Sequence, residues 1–370
     1  GLRRGRAIAL VTAGGLRLTM RVVVLGAGAI GRLLGWGLAH GGADVRVVGR
    51  AAPGVPAAGD GPVPATVRVV DGAGRSHAAA VEAVPALVGG PEPDLVVCAV
   101  KMTDLDAALR SLDRWPIVPL LTIQNGIGAE ALARAHRPAA PLMAGSVTAS
   151  ASRGPDGVVR WLRRGGIGLA PAAGPVEALL PALAERLRAG GLPTMVVASV
   201  DALKWSKLLA NLLANASSAI LDMDPAAIYA DPGLFDLERR QLREALAVMA
   251  AQDIPVHDLP GAPVRLLALG ARLPARLARP IFARAVGGAR GGKSPSLRLH
   301  VAAGGGPSEV EWLNGAVVEA GARLGLPTPA NRLLLLEMRE VTADAGRRAW
   351  YRGHPERLLA LQDGWHTGAP

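Results

Sequence analysis

Short apolar runs alternate with helical patterns over the first half of the chain. Continuous apolar runs, most of them rich in valine, predict buried strands at 21–25, 44–48, 94–100 and 118–123. A helix is predicted at 29–40, between the first two of these strands. This β-α-β order is typical of a parallel sheet with helices packed on its faces.

Weaker patterns extend the prediction in both directions along the chain. Further strands are predicted at 66–70, 77–81, 141–149, 157–161 and 195–197, and a further helix at 174–189. The pattern becomes almost wholly helical after residue 200. The sequence therefore predicts the α/β class, with an N-terminal Rossmann-type doubly wound sheet at 20–198 and an all-helical C-terminal domain at 199–345. Residues 1–19 are expected to be a non-structural extension ahead of a true start at Met20, and residues 346–370 a C-terminal tail.

The segment between the first strand and the first helix contains the spacing G-x-G-x-x-G at Gly26, Gly28 and Gly31. In a dinucleotide-binding turn these glycines allow a tight turn, close approach of a pyrophosphate, and close packing of helix on strand. The helix N-terminus then offers unpaired N–H groups to the phosphates. Because the motif follows a strand and opens a helix, it favours a dinucleotide site over a glycine-rich turn that binds nothing. The expected cofactor-binding residues of this turn are Gly26, Ala27, Gly28, Ala29, Ile30 and Gly31.

The end of the second strand bears on which dinucleotide binds. NAD sites usually place Asp or Glu there for the ribose 2′-hydroxyl, whereas NADP sites favour Arg beside the 2′-phosphate. Here Gly49 and Arg50 follow the strand, and Asp44 lies at its opposite end. We therefore expect NADPH, with Arg50 on the 2′-phosphate and Arg32 assisting. NAD is the alternative, since arginine is common throughout the chain.

Two polar residues follow later strands of the predicted sheet. Lys101 comes directly after the strand at 94–100, and Asn125 comes shortly after the strand at 118–123. Open α/β sheets bind ligands outside the carboxyl ends of their strands. Lys101 is therefore expected to contact cofactor or substrate, and its alternative is a solvated position at the start of a helix. Asn125 is expected at another ligand-facing strand end.

A second group of polar residues lies in the helical half of the chain. Lys207, Asn211 and Asn215 are spaced at i, i+4 and i+8 along a helix predicted at 201–221, which places them on one face. Asparagine is unfavourable inside a helix, so two of them beside a lysine indicate a ligand surface, with a solvated face as the alternative. Glu309 begins another predicted helix. Its carboxylate is either simply stabilised there by the helix dipole, or it faces Lys207.

Composition and charge exclude several classes of protein. The net charge of +11 suits an anionic cofactor and an acidic substrate, while the scattered arginines form no nucleic-acid motif. Cys98 is the only cysteine, which excludes an intramolecular disulfide and favours a cytoplasmic protein. The histidines lack the close spacing of metal ligands, so no metal is expected. No apolar span is long enough for a transmembrane helix, so no membrane partner is expected.

The sequence GGARGGKS at 287–294 satisfies the Walker A spacing of a P-loop. A P-loop follows a strand and opens a helix, whereas here a predicted helical stretch precedes the motif and Pro295 follows it. We therefore expect a glycine hinge at this point and no ATP site.

These segments, in this order, resemble the ketopantoate reductase (2-dehydropantoate 2-reductase) family. The matching motifs are GAGAIG from Gly26, AVK ending at Lys101, QNG around Asn125, KLLANLLAN from Lys207, and EVEWLNGAVVEAGARLGLPTPAN from Glu309. They cover most of residues 20–340, and the last two are specific to the family.

The resemblance implies an NADPH-dependent reduction of a 2-oxo acid, 2-dehydropantoate to pantoate, a step of pantothenate biosynthesis. Lys207 would be the general acid, with Glu309 beside it. The implied contacts with substrate, nicotinamide or cofactor come from Asn125, Asn211, Asn215, Ser296 and Lys101. The second domain is expected to bind substrate and to form a homodimer, with the active site in the cleft between the domains.

Three features depart from the family pattern. One extra residue separates Ser296 from Glu309, His300 stands where the family usually has Asp, and a proline- and arginine-rich insertion covers about 259–291. Two alternatives therefore stay open. One is a reductase of the same fold for another 2-oxo or 3-oxo acid, and the other is a non-enzymatic NADPH-binding regulator.

Overall fold

The structure is a computed structural model that describes residues 10–12, 15–17, 19–49, 62–87, 90–163, 165–289 and 294–364. The chain divides into two compact units. The first comprises Gly1–Gln124 and Ala129–Val200, and the second comprises Asn125–Gly128 and Asp201–Pro370. All described strands lie in the first unit, and the second unit is helical in its described part, so the predicted α/β class is confirmed.

The first unit is built on an eleven-stranded sheet, beside a separate two-stranded pair. The strands are β1 (Leu10–Thr12), β2 (Gly15–Arg17), β3 (Arg21–Leu25), β4 (Asp44–Val48), β5 (Val63–Val70), β6 (Ser76–Val84), β7 (Leu95–Cys98), β8 (Leu120–Thr122), β9 (Leu142–Val147), β10 (Ser150–Arg153), β11 (Val159–Arg163), β12 (Ile167–Ala173) and β13 (Thr194–Val196). Their order across the sheet is β10-β11-β5-β6-β4-β3-β7-β8-β9-β12-β13. The central strands from β6 to β9 are parallel, and β5–β6, β9–β12 and β10–β11 pair antiparallel.

Helices cover this sheet because its central strands are apolar on both faces. The helices are α1 (Ala29–His40), α2 (Met102–Arg110), α3 (Ala129–His136) and α4 (Leu179–Ala189). Every residue of β7 is buried, as expected for a parallel strand covered on both sides. Helix α1 buries Leu33, Leu34 and Trp36 in the same core.

The second unit contains eleven described α-helices and one short 3-10 helix. They are α5 (Val200–Leu212), α6 (Ala216–Leu221), α7 (Pro225–Ala230), α8 (Pro232–Ala251), α9 (Val264–Arg272), α10 (Ala275–Ala289), α11 (Ser296–Ala302), the 3-10 helix Glu309–Trp312, α12 (Asn314–Leu324), α13 (Pro329–Ala343), α14 (Ala345–Tyr351) and α15 (Pro355–Gly364). Helices α9 and α10 lie in the predicted insertion. Phe282 of α10 is fully buried and stacks on Tyr229 with a centroid separation of 5.6 Å, so the insertion shares the core of this unit.

The helix predicted at 201–221 is interrupted. Helix α5 ends at Leu212 and α6 begins at Ala216, and between them Ala214 has a φ of +43°. This left-handed conformation costs about 1–2 kcal/mol for a residue with a Cβ and ends a right-handed helix. The prediction of one continuous helix is therefore wrong.

Both ends of the chain contain more structure than expected. Strands β1 and β2 pair antiparallel within residues 1–19, the expected non-structural extension. Helices α14 and α15 run from Ala345 to Gly364, across most of the expected tail at 346–370, and bury Tyr351 and Leu358 completely. These side chains carry apolar surface that a solvated tail would expose, so the prediction of a tail is wrong.

Within the eleven-stranded sheet, two described strands have no counterpart in the sequence prediction. Strand β12 contains Pro171 and glycine, which weaken strand patterns, and it pairs antiparallel with β9. Strand β10 pairs antiparallel with β11 at one edge of the sheet. Both depend on partners supplied by other strands, which periodicity does not reveal.

Candidate functional site

The carboxyl ends of four parallel strands lie side by side in the first unit. The register pairs Leu25 of β3 with both Val48 of β4 and Cys98 of β7. Cys98 pairs in turn with Thr122 of β8. The Gly26 N–H donates to the Val48 carbonyl at 2.8 Å. The glycine turn and the segments after β4, β7 and β8 therefore start from one edge of the sheet, where open α/β sheets bind ligands.

Each glycine of the turn meets a different steric demand. Gly26 has a φ of +112°, and a Cβ added there would lie 2.7 Å from backbone atoms of Ala99. A Cβ on Gly31 would lie 1.9 Å from the Gly26 carbonyl oxygen, so helix and strand approach closely only without a side chain. A Cβ on Gly28 would have no described atom within 4 Å, so this backbone is open. These properties match the three glycine roles of a dinucleotide turn.

The N-terminus of α1 fits the phosphates of a dinucleotide. Its N-cap, Gly28, makes no side-chain cap hydrogen bond, and its first turn contains no acidic residue. The first N–H groups of a helix lack partners within the helix and carry the positive end of its dipole. They are therefore suited to an anion that approaches over Gly28.

Two arginines meet at the carbonyl oxygen of Ala27. Arg32 donates from Nε at 3.0 Å, and Arg153 of β10 donates from Nη1 at 3.3 Å. Burial lowers the pKa of Arg32, and the positive charge of Arg153 lowers this pKa further. Arg32 is predicted near the cofactor, whereas nothing in the local sequence singles out Arg153. Arg50 lies outside the described residues.

Gln124 joins the ends of β7 and β8. Its Nε2 donates to the carbonyls of Cys98 at 2.8 Å and Val100 at 3.0 Å, and its side chain is buried. Lys101, which follows Val100, is exposed at the N-cap of α2. Gln124 is not among the predicted site residues, although it holds the backbone from which Lys101 extends. Contact of Lys101 with cofactor or substrate stays a prediction.

In the second unit, α5 carries Lys207 and Asn211 one turn apart, both half-buried. Asn211 donates from Nδ2 to Oδ1 of Asn125 at 3.1 Å. Asn125 reaches this position because residues 125–128 group with the second unit, where Ile127 N–H donates to the Trp312 carbonyl at 3.0 Å. The structure therefore brings together two predicted substrate-binding residues, Asn125 and Asn211.

Asn215 holds the start of α11. Its Oδ1 accepts from Leu297 N–H at 3.2 Å, and its Nδ2 donates to Ser296 Oγ at 3.4 Å. Because α5 ends at Leu212, Asn215 does not share a helical face with Lys207 and Asn211, and that part of the prediction is wrong. The structure does bring Asn215 and Ser296 together. Contact of either side chain with a substrate stays a prediction.

Glu309 opens the 3-10 helix that follows Ser308. Ser308 Oγ accepts from Val310 N–H at 3.3 Å, which fixes the start of this turn. Glu311, in the same turn, accepts from Arg339 at 2.7 Å and 2.6 Å in a bidentate pair. Glu309 is half-buried. The catalytic roles of Glu309 and Lys207 stay predictions.

The break between α5 and α6 is held by α8. Glu238, fully buried, accepts from Ala214 N–H at 2.7 Å and from Ser217 Oγ at 2.6 Å. Gln241, one turn later, donates from Nε2 to the Leu212 carbonyl at 3.2 Å. Burial raises the pKa of Glu238. Sequence reasoning missed this pair, because a glutamate and a glutamine within a helix give no signal of their partners.

Other classes of site find no support among the described residues. In that part of the chain, no group of three or more His, Cys, Asp or Glu residues could hold a metal ion. No described helix has the length and apolar character needed to cross a membrane. Helix α10 runs to Ala289, so a helix and not a strand precedes the end of GGARGGKS; residues 290–293 lie outside the description.

Two family models match most of the chain. The model described as "Ketopantoate reductase PanE/ApbA" matches residues 22–174, and "Ketopantoate reductase PanE/ApbA C terminal" matches residues 199–342. A 2-dehydropantoate 2-reductase of Halobacterium salinarum is 32% identical over 319 residues, covering 85% of this chain and 96% of that protein. One of Mesorhizobium japonicum is 27% identical, covering 88% and 99%.

Solved structures have the same fold. A PanE/ApbA family ketopantoate reductase from Ralstonia eutropha superposes with a TM-score of 0.70 at 26% identity, covering 88% of this chain and 99% of that one. A D-mandelate dehydrogenase with NADH and anilino(oxo)acetate superposes with a TM-score of 0.71 at 20% identity, over 88% and 99% of the two chains. At that identity the second likeness shows the fold alone.

Proposed function

The chain belongs to the ketopantoate reductase family of oxidoreductases, and we propose that it reduces a 2-oxo acid with NADPH, converting 2-dehydropantoate to pantoate. The choice of substrate is supported by the curated relatives, which are 2-dehydropantoate 2-reductases. The choice of NADPH is supported by the absence of an acid at the end of β4, where Gly49 and Arg50 follow Val48.

The glycine turn carries the cofactor part of this proposal. Gly26 and Gly31 have no room for a side chain, while the backbone of Gly28 is open at the N-terminus of α1. This combination leaves N–H groups exposed to an anion. A turn that binds nothing would have no need of the open backbone at Gly28. The turn and α1 would bind the pyrophosphate, and Lys101 would contact the cofactor from the end of β7.

Reduction of a ketone requires a hydride at carbon and a proton at oxygen. When bound, the nicotinamide supplies the hydride. Lys207 donates a proton from Nζ to the carbonyl oxygen, and general-acid catalysis of this kind contributes about 10²–10⁴ in rate. We assign Glu309 the role of orienting Lys207. Lysine suits this role because its ammonium can lose a proton, which a guanidinium does not do.

Directional hydrogen bonds would orient the substrate. Asn125 and Asn211 share one hydrogen bond, so each amide keeps further donor and acceptor capacity. We assign them to the polar groups of the 2-oxo acid. Asn215 already uses both ends of its amide on α11, so it would act mainly by positioning Ser296.

Replacement of Lys207 tests the proton donor. Lys207→Ala should lower kcat about 10²- to 10⁴-fold while the Kd for NADPH, measured by fluorescence titration, stays within a factor of about two. Lys207→Arg is the matched variant, because its guanidinium keeps the positive charge but does not give up a proton at neutral pH. Loss of turnover in both variants supports proton donation. Restoration by Arg would reduce Lys207 to an electrostatic role, and near-normal turnover of the Ala variant would overturn the assignment.

A panel of 2-oxo and 3-oxo acids tests the substrate. NADPH oxidation should be fastest with 2-dehydropantoate. The second candidate, reduction of another oxo acid, is favoured by the helices α9 and α10, which fill an insertion that precedes Ser296. A higher kcat/KM for a different acid in this panel would replace the proposed substrate and keep the reaction type.

A further inference from the structure

Arg32 and Arg153 form an unusual pair, since both donate to one carbonyl oxygen from distant parts of the chain. Arg32 lies in the first turn of α1, and Arg153 ends β10, 126 residues after Ala27 in sequence. The distances to the Ala27 oxygen are 3.0 Å for Arg32 Nε and 3.3 Å for Arg153 Nη1. A single neutral carbonyl does not balance two positive charges.

The pair stands where β4 ends. A Cβ added to Gly49, the residue after β4, would lie 2.5 Å from the Cβ of Ala27 and 2.8 Å from its nitrogen. Gly49 therefore packs directly on the residue that both arginines contact. In dinucleotide-binding sheets this strand end receives the adenosine ribose, where NADP and NAD differ by the 2′-phosphate.

No acid neutralises the pair among the described residues. Neither Arg32 nor Arg153 is in an ion pair there, whereas Arg160 on the adjacent strand pairs with Asp156 at 2.9 Å. The first turn of α1 contains no acidic residue either. Burial lowers the pKa of Arg32, and the positive charge of Arg153 lowers it further; an anion placed between the two guanidinium groups would offset this repulsion.

We propose that Arg153 of β10 is, with Arg32, a determinant of NADPH preference that binds the 2′-phosphate of the cofactor. This inference rests on the proposed function. A phosphate monoester carries about −1.5 to −2 charge at neutral pH and accepts paired hydrogen bonds from planar guanidinium groups. Arg153 is exposed, so its side chain can turn from the Ala27 carbonyl toward the phosphate while Arg32 keeps the turn in place.

The test is a titration of NADPH and NADH against the wild type and Arg153→Gln. Glutamine keeps a hydrogen-bond donor for Ala27 and removes the charge. The Kd for NADPH should rise about 10-fold, the loss expected for one charged hydrogen bond, while that for NADH stays within about twofold. Adenosine 2′,5′-bisphosphate should lose affinity in parallel, and 5′-AMP should not.

Arg160→Gln is the matched control, because Arg160 is an exposed arginine on the neighbouring strand and lies outside the proposed site. Its NADPH-to-NADH ratio should equal that of the wild type. An unchanged ratio in Arg153→Gln, or equal weakening of both cofactors, would overturn the role of Arg153 and leave the NADPH proposal intact. A wild type that binds NADH as tightly as NADPH would overturn both.

Discussion

Glu238 shows how one buried residue shapes the helices that carry the candidate catalytic groups. It has no ion-pair partner among the described residues, yet it accepts from Ala214 N–H, Ser217 Oγ and Tyr229 OH at 2.7, 2.6 and 3.2 Å. These bonds hold Ala214 at a φ of +43°. The left-handed Ala214 causes the break between α5 and α6. Because of this break, Asn211 and Asn215 do not share one helical face.

Glu238→Ala should lower the free energy of unfolding by about 2–4 kcal/mol, because it leaves the Ala214 N–H buried without an acceptor. Denaturant titration measures the change. Glu238→Gln is the conservative variant, since its amide oxygen can accept from Ala214 N–H and Tyr229 OH, and its amide nitrogen can donate to Ser217 Oγ once that hydroxyl reverses direction. Equal stability of the Ala variant and the wild type would mean that Glu238 does not hold the break.

The pH dependence of Glu238→Gln follows from burial, which raises the pKa of Glu238 above its usual value of 4.5. A raised folded-state pKa gives a stabilisation that is present below the unfolded pKa and is lost as pH rises through the folded pKa. The glutamine variant lacks this loss, so its stability should improve relative to the wild type as the pH rises above 4.5. A constant difference over this range would contradict the burial argument.

Among the elements, the turn from β3 to α1 combines two kinds of glycine. Gly31 is required by packing, because an added Cβ would lie 1.9 Å from a backbone oxygen. Gly28 has ordinary backbone angles, φ −71° and ψ −178°, and open space around it. Packing therefore does not explain Gly28, whereas close approach of a ligand does.

The two glycines should respond differently to alanine. Gly31→Ala should destabilise the fold by about 1–3 kcal/mol through overpacking, and weaken cofactor binding as well. Gly28→Ala should change stability by no more than about 0.5 kcal/mol, yet weaken NADPH binding about 10- to 100-fold by blocking the pyrophosphate. Thermal unfolding and fluorescence titration of both variants provide the comparison. Normal NADPH affinity in Gly28→Ala would argue against pyrophosphate binding at this turn.

Across the whole molecule, each of the two units has its own buried core. In the second unit that core extends into the last helices, where Tyr351 OH donates to Glu337 Oε2 at 2.6 Å and Arg347 donates to the same oxygen at 3.0 Å. Leu358 of α15 is fully buried. The C-terminal family model ends at residue 342, before these helices. The C-terminal helices are therefore an integral part of this unit.

A chain ending at Ala343 should unfold at a lower temperature than the full chain. Loss of the buried Tyr351 and Leu358 removes roughly 3–6 kcal/mol of stabilisation by apolar burial. Each kcal/mol lowers the melting temperature by about 2–4 °C. A chain ending at Gly364 is the control, since it keeps both helices. Equal melting temperatures for all three chains would show that α14 and α15 do not contribute to the core.

Local patterns in the sequence determined the architecture and the glycine turn proposed to bind the cofactor. The valine-rich strands, the glycine spacing at Gly26–Gly31 and the position of Lys101 after a strand all depend on neighbours in sequence. Backbone sterics and hydrophobic periodicity act over a few residues, so these features could be predicted from the chain alone. The family motifs around Lys207 and Glu309 likewise belong to the sequence.

Only the tertiary structure decided where the helix after Lys207 breaks, which residues Asn215 holds, and that Arg153 reaches the glycine turn. The break at Ala214 depends on Glu238, 24 residues later, and the Ala27 carbonyl receives Arg153 from 126 residues away. A buried N–H or a cluster of like charges is satisfied by whichever group the fold brings near it. That choice depends on packing in three dimensions, and no periodicity in the sequence records it.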